Sequence, residues 1–185
     1  HADALERLNE AAALVRAEDT VRPIATIYGE VPSEATVDAM PLVDIWGLNV
    51  YRGIGFGDLF DVWATRSDKP MFLGEYGADA YNALTNMVDV ASQAAATTAL
   101  TQSILDHASA VDPSDVCAGG TIFEWSDEWW KDGDGNTNTH DVGGVAPGGG
   151  PHPDATFNEE WWGVVDIDRN VRPAYTALQT LYVTE

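Results

Sequence analysis

Two hydrophobic rhythms alternate along this chain. Over residues 2–18, ADALERLNEAAALVRAE, Leu5, Leu8, Ala12 and Val15 return at steps of three and four residues. That spacing puts them on one face of a helix, and Ala, Leu, Glu and Arg are strong helix formers. Residues 22–30, RPIATIYGE, break the rhythm with a short apolar run behind Pro23, and predict a buried strand. Residues 32–40 predict a short helix with Ser33 as its N-cap. The alternation then repeats. VDIWGLNVY (43–51) reads as a strand and GDLFDVWATRS (57–67) as a helix with Leu59, Phe60 and Trp63 on one face. KPMFLGEY (69–76) is a third strand, an Ala-rich stretch over 83–110 a long helix, and GGTIFEWSDEWW (119–130) a fourth strand entering a loop. A turn-rich segment and a final helix, RPAYTALQTLYV, close the chain.

The strands are short and mostly apolar rather than alternating. That is the pattern of a parallel sheet covered on both faces, so the expected class is α/β. No Gly-rich phosphate loop follows the first strand, which argues against a nucleotide or dinucleotide cofactor. A (β/α)8 barrel, or part of one, remains. In such barrels the chemistry sits at the C-terminal strand ends. Here those ends carry Tyr28 and Glu30, Asn49 and Tyr51, Glu75 and Tyr76, then Glu124, Trp125 and Asp127. The length, 185 residues, suits one domain with a sizeable core, and 131–160 reads as a long loop rich in Gly, Asp, Asn, Thr and Pro.

Charge narrows the partners. The formal net charge is −21, and Lys69 and Lys131 are the lysines of the chain. Such a surface repels phosphate backbones, so no nucleic-acid partner is expected, and it reads as adapted to high salt. No apolar run long enough to span a membrane occurs, and no charged-then-apolar leader opens the chain. Cys117 is expected to be a small packing residue. The histidines (His1, His107, His140, His152) show no zinc spacing. DGDGNTNTHD (132–141) alternates oxygen donors as calcium loops do, but lacks the sixth-position glycine and the closing glutamate of an EF-hand. It reads as a solvated acidic loop, with calcium binding as the alternative, and no metal is assigned.

Several segments together resemble a known clan: VDIWGLNVYRG, KPMFLGEYGADA, FEWSDEWWK and FNEEWWGVVDIDRNVRPAY. GEYG at a strand end, coupled to the FEW strand about fifty residues on, resembles the C-terminal half of retaining glycoside hydrolase barrels. The likeness is to family 2-type catalytic barrels and related β-glucan hydrolases and glucanosyltransferases. It implies that Glu75, ending the seventh barrel strand, matches the nucleophile, and that Tyr51, ending the sixth, donates a hydrogen bond to it. It implies that Trp125 floors the sugar subsite. Asn49 and Tyr76 at the strand ends, and Trp129 and Trp130 among seven tryptophans that exceed packing needs, are expected as further sugar contacts. The residue types suit the chemistry. A retaining enzyme pairs a carboxylate nucleophile with a second carboxyl group, and indole rings offer flat surfaces to sugar C–H faces. Trp161 and Trp162 read as ordinary core aromatics. Glu124 is expected to point opposite to Trp125 and to pair with an arginine or backbone.

The chain departs from the clan in one respect. The acid/base glutamate of the resemblance follows an Asn at the end of the fourth strand, whereas Asn9–Glu10 lies inside the predicted first helix. The expectation is therefore a half-barrel of strands five to eight, with little hydrolysis by the chain alone. Its open edges would be covered by a second copy or by the other half. The partner expected is a β-linked glycan. The rival reading is a non-catalytic carbohydrate-binding or self-assembling half-barrel. Sugar, linkage and compartment stay open, with a secreted or cell-surface place in high salt as the expectation.

Overall fold

The computed structural model describes residues 2–131 and 158–183. Helix α1 (Ala2–Glu18) comes first, then β1 (Ala25–Gly29), α2 (Glu34–Asp38), β2 (Ile45–Asn49), α3 (Leu59–Arg66) and β3 (Met71–Tyr76). A small hairpin, β4 (Tyr81–Asn82) and β5 (Met87–Val88), precedes α4 (Val90–Asp106), β6 (Cys117–Ile122), a 3-10 turn (Glu159–Trp161) and α5 (Pro173–Val183). Strands β1, β2, β3 and β6 form one parallel sheet in that order, as a (β/α) half-barrel requires. Strands β1 and β2 pair from Ala25 with Ile45 to Gly29 with Asn49. No helix among the described residues is long and apolar enough to cross a membrane.

The loop expected over 131–160 and the acidic stretch 132–141 lie almost wholly outside the described residues. Two local expectations are revised. The long helix begins at Val90 rather than near residue 83. Asn82 accepts the Leu84 and Thr85 backbone N–H groups on its side chain, and Asn86 takes a left-handed φ of 55°. These bonds favour a turn over a helix, and Asp89 then caps α4 by accepting from Ser92. Strand β1 is not buried as predicted: its residues alternate between exposed and half-buried, with Ile27 53% exposed. It is an edge strand of the sheet.

The described residues divide into two compact units. The first takes the chain up to Val50 with Asp58–Gly74 and His107–Gly120. Its core is Trp46, Leu48, Leu59, Trp63, Met71 and Leu73, all without measurable exposure. The Trp46 and Trp63 rings lie 6.0 Å apart, and the Trp63 indole N–H donates to the Lys69 carbonyl at 2.8 Å. Across the sheet, a Cβ at Gly47 would come within 2.3 Å of Ile27 and 2.6 Å of Phe72. Glycine there lets those two side chains lie flat over the strand. Arg16 of α1 pairs with Asp44, whose carboxyl is held low first by the Ile24 backbone N–H and then by Arg16. Cys117 is fully buried, and burial pushes its thiol up to about 11.

The second unit takes Tyr51–Gly57, Glu75–Asp106 and the chain from Thr121 on. Here α4 packs on α5, with Val164, Ala174 and Leu178 at the centre of a small apolar cluster. A buried polar network runs beside it. Arg172 grips both Asp127 oxygens at 2.6 Å and donates to the Gly163 carbonyl at 2.7 Å. Asp127 also accepts the Gly163 N–H at 2.8 Å. Gln93 donates to the Ala78 and Gly163 carbonyls, and Asn158 to Asp79 and the Tyr81 carbonyl.

Candidate functional site

The site grows from two strand ends. Tyr51 follows β2, and Glu75 stands one residue before the end of β3. The Tyr51 hydroxyl donates to Glu75 Oε2 at 2.8 Å. Burial raises the phenol well above its usual range, and the hydrogen bond to Glu75 and that residue's charge raise it further; Glu159 and Glu124 add to the effect. The phenol therefore keeps its proton and offers it to Glu75.

How Glu75 comes to face Tyr51 is written in the burial of β3. From Met71 the residues run buried, half-buried, buried, half-buried, half-buried, buried. The two-residue period slips once, at Gly74–Glu75, so Tyr76 rather than Glu75 is the buried one. Tyr76 was expected to touch sugar. It instead shares a hydrogen bond with Thr101 of α4 at 3.0 Å and packs edge-on against Phe56. Gly77 is needed for a close approach: a Cβ there would sit 2.1 Å from the Phe123 carbonyl oxygen, and Phe123 donates its own N–H to the Tyr76 carbonyl at 2.7 Å. The glycine of GEYG thus lets the start of the FEW segment lie against this strand end.

Tyr51 is flanked by Trp162, with ring centroids 5.1 Å apart and planes at 83°, and by Phe123 at 6.5 Å and 84°. Trp125, expected to floor the site, is 60% exposed and lies edge-on to Tyr175. It lines an apolar hollow of about 300 Å³ with Ile122, Val164 and Leu178. The FEW segment therefore offers Phe123, two residues earlier, to Tyr51. Trp129 and Trp130 meet each other at right angles and border a hollow of about 290 Å³ with Asp127 and Arg169. Asn49 belongs to the first unit; its side-chain oxygen is buried and has no hydrogen-bond partner among the described residues.

Charged groups the sequence reading passed over gather beside Phe123. Lys131 reaches Glu128 at 3.2 Å and Glu159 at 3.7 Å, and its ammonium sits 5.3 Å from the Phe123 ring centroid. Burial works against the ammonium, yet Glu159, Glu128 and Glu124 outweigh it and raise its pKa. Glu124 meets no arginine: burial pushes its carboxyl up to about 9, with Glu128 adding and Lys131 opposing. It carries its proton at neutral pH, and its Oε1 has no partner among the described residues. The peptide between Phe123 and Glu124 is cis. The doubled Trp of FNEEWWGVV was the one sequence signal for Trp162; nothing in the spacing marked Lys131, Glu128 or Glu159.

Solved structures share this fold. A GH2 β-galacturonidase from Eisenbergiella tayi bound to galacturonate superposes with a TM-score of 0.64 at 16% identity, over 98% of this chain and 31% of that one. A β-D-glucuronidase from Dictyoglomus thermophilum gives 0.60 at 18%, covering 98% and 29%. A GH113 β-1,4-mannanase gives 0.57 at 14%, covering 97% and 51%. The chain thus shares its fold with part of each of these enzymes and spans about a third of the length of the first two. No family model matches it. No curated protein matches it either.

Proposed function

We propose that this chain carries the nucleophile side of a retaining β-glycosidase or transglycosylase site. Glu75 is the attacking carboxylate, and Tyr51 orients it through its hydroxyl. Trp162 and Phe123 supply the apolar wall around the phenol. The observation that carries this reading is the 2.8 Å hydrogen bond from Tyr51 to Glu75 at adjoining strand ends. It is supported by the structural neighbours, a β-galacturonidase, a β-D-glucuronidase and a β-1,4-mannanase.

In the reaction, Glu75 attacks the anomeric carbon and forms a glycosyl ester as the leaving oxygen departs with a proton. Water, or a sugar hydroxyl in transfer, then releases the ester. The proton comes from a second carboxyl about 5–5.5 Å from the first. We assign that group to the four other strands of a complete (β/α)8 barrel. Trp129 and Trp130 are assigned to a further sugar unit.

Tryptophan fluorescence titration with β-glucan oligosaccharides tests the reading. Binding is expected, with little or no hydrolysis of aryl β-glycosides by the 185-residue chain, and weaker binding in Glu75→Gln. Absence of binding would remove the sugar site. Steady turnover by the chain that disappears in Glu75→Gln would overturn the assignment of the proton donor elsewhere.

A further inference from the structure

Two proteins that share this fold, a β-galacturonidase and a β-D-glucuronidase, are named for acidic sugars. Recognition of a sugar carboxylate needs a cation free to meet it. The basic residues of the second unit are Arg52, Lys131, Arg169 and Arg172. Arg172 is committed to Asp127, Arg169 donates to Ser126, and Arg52 donates to the Phe56 carbonyl at 3.0 Å. Lys131 sits over the Phe123 ring that flanks Tyr51, and it is already held between Glu128 and Glu159. Residues 132–157 contain no lysine or arginine and four aspartates, Asp132, Asp134, Asp141 and Asp154, so they bring no permanent positive charge. Glu128 and Glu159 thus share one ammonium, and the charges of Glu75 and Glu159 both bear on Tyr51.

We infer, resting on the glycosidase reading above, that this site discriminates against uronic acid sugars and accepts neutral ones, and that it binds a sugar bearing a free amine most tightly. A sugar carboxylate entering here is repelled by the excess of carboxylates and finds the one ammonium already paired. An ammonium on the sugar is attracted by the same excess. Glu124, half-buried beside Lys131 and holding its proton, adds a hydrogen-bond donor for a neutral hydroxyl without adding charge.

The test uses methyl β-glycosides in matched triplets, neutral, 2-amino and 6-carboxyl, in the gluco, galacto and manno series. Affinity is read by tryptophan fluorescence and calorimetry on the full chain. At low salt the amine is expected to bind about tenfold or more tighter than the uronate, and the gap should close toward about 1 M salt. Because the whole protein is acidic, two double variants separate local from global charge. Glu128→Gln with Glu159→Gln should reduce the preference to about threefold or less. Asp3→Asn with Glu6→Gln, on the exposed face of α1, should leave it unchanged. Uronate binding as tight as the neutral sugar overturns the inference and leaves the glycosidase reading standing. An equal loss of preference in both double variants also overturns it. If no member of any triplet binds, the glycosidase reading fails and this inference with it.

Discussion

The two units are stabilised by different means. In the first, a single polar side chain is buried among the described residues, Thr36, and the core is indole, aliphatic and thioether. In the second, Asp79, Gln93, Asp127, Asn158, Glu160 and Arg172 are buried alongside the apolar groups. The first unit is a hydrophobic framework that tolerates exchange of like for like. The second adds hydrogen bonds among Arg172, Asp127, Gln93, Asn158 and Asp79, and Tyr51 and Glu75 stand in the same unit. Buried polar networks are costly unless every group is matched, but once matched they hold side chains in one arrangement. A site that must fix a carboxylate gains from being built in that second manner.

The sharpest way to break this comparison is to remove one partner from each kind of core. Arg172→Met leaves Asp127 buried without its cation and is expected to cost about 3–5 kcal/mol in urea unfolding. Adding Asp127→Leu should recover a large part of that loss, because an apolar pair no longer strands a charge. Trp63→Ala in the framework should cost a comparable 3–5 kcal/mol or so, by opening a cavity, and no second substitution of charge will rescue it. If the Asp127 substitution deepened the Arg172→Met loss, the contrast between the units would be wrong.

Next in size is a glycine pair. Gly77→Ala drives a Cβ into the Phe123 carbonyl and should cost about 1–3 kcal/mol, with loss of sugar binding. Gly29→Ala, where a Cβ meets nothing within 4 Å, should change stability by about 0.5 kcal/mol or less. Thermal melts of the two variants decide this.

A smaller effect concerns pH. Glu124 is an acid whose folded pKa is raised, so the folded chain holds its proton where the unfolded chain has lost it. Its contribution is most favourable below the ordinary value of 4.5 and is lost as pH rises toward about 9. Stability should fall across that window, and Glu124→Gln should flatten the slope. A steeper slope in the variant would contradict the assignment. Smallest of all, Tyr51→Phe should lower stability by only about 1 kcal/mol while weakening any reaction at Glu75 far more.

The framework was far more legible in the sequence than the site. Apolar runs and caps such as Ser33 act over a few residues, so β2, α3, β3 and α2 appear within a residue or two of where periodicity puts them. The pairing of Tyr51 with Glu75 came from a resemblance between strand-end motifs rather than from spacing. Which aromatics surround the pair was not legible. Strict alternation carries Trp125 into the site and leaves Glu124 on the other side. The observed placement depends on how Gly77 docks against Phe123 and on Trp162, which lies far along the chain. A period that slips once at Gly74–Glu75 leaves no mark in composition, and neither does the long-range capture of Lys131 by Glu159.

Labelling with activated glycosyl donors tests the central claim most directly. A 2-deoxy-2-fluoro-β-glycosyl fluoride has a leaving group that departs without a proton donor, and its fluorine slows release of the ester formed. Incubation of the chain with such donors in the gluco, galacto and manno series, followed by peptide mass spectrometry, should place one sugar on Glu75. The adduct should be absent in Glu75→Gln and formed more slowly in Tyr51→Phe. Failure of every donor to label the chain, or an adduct on another carboxylate with Glu75 untouched, would contradict the account.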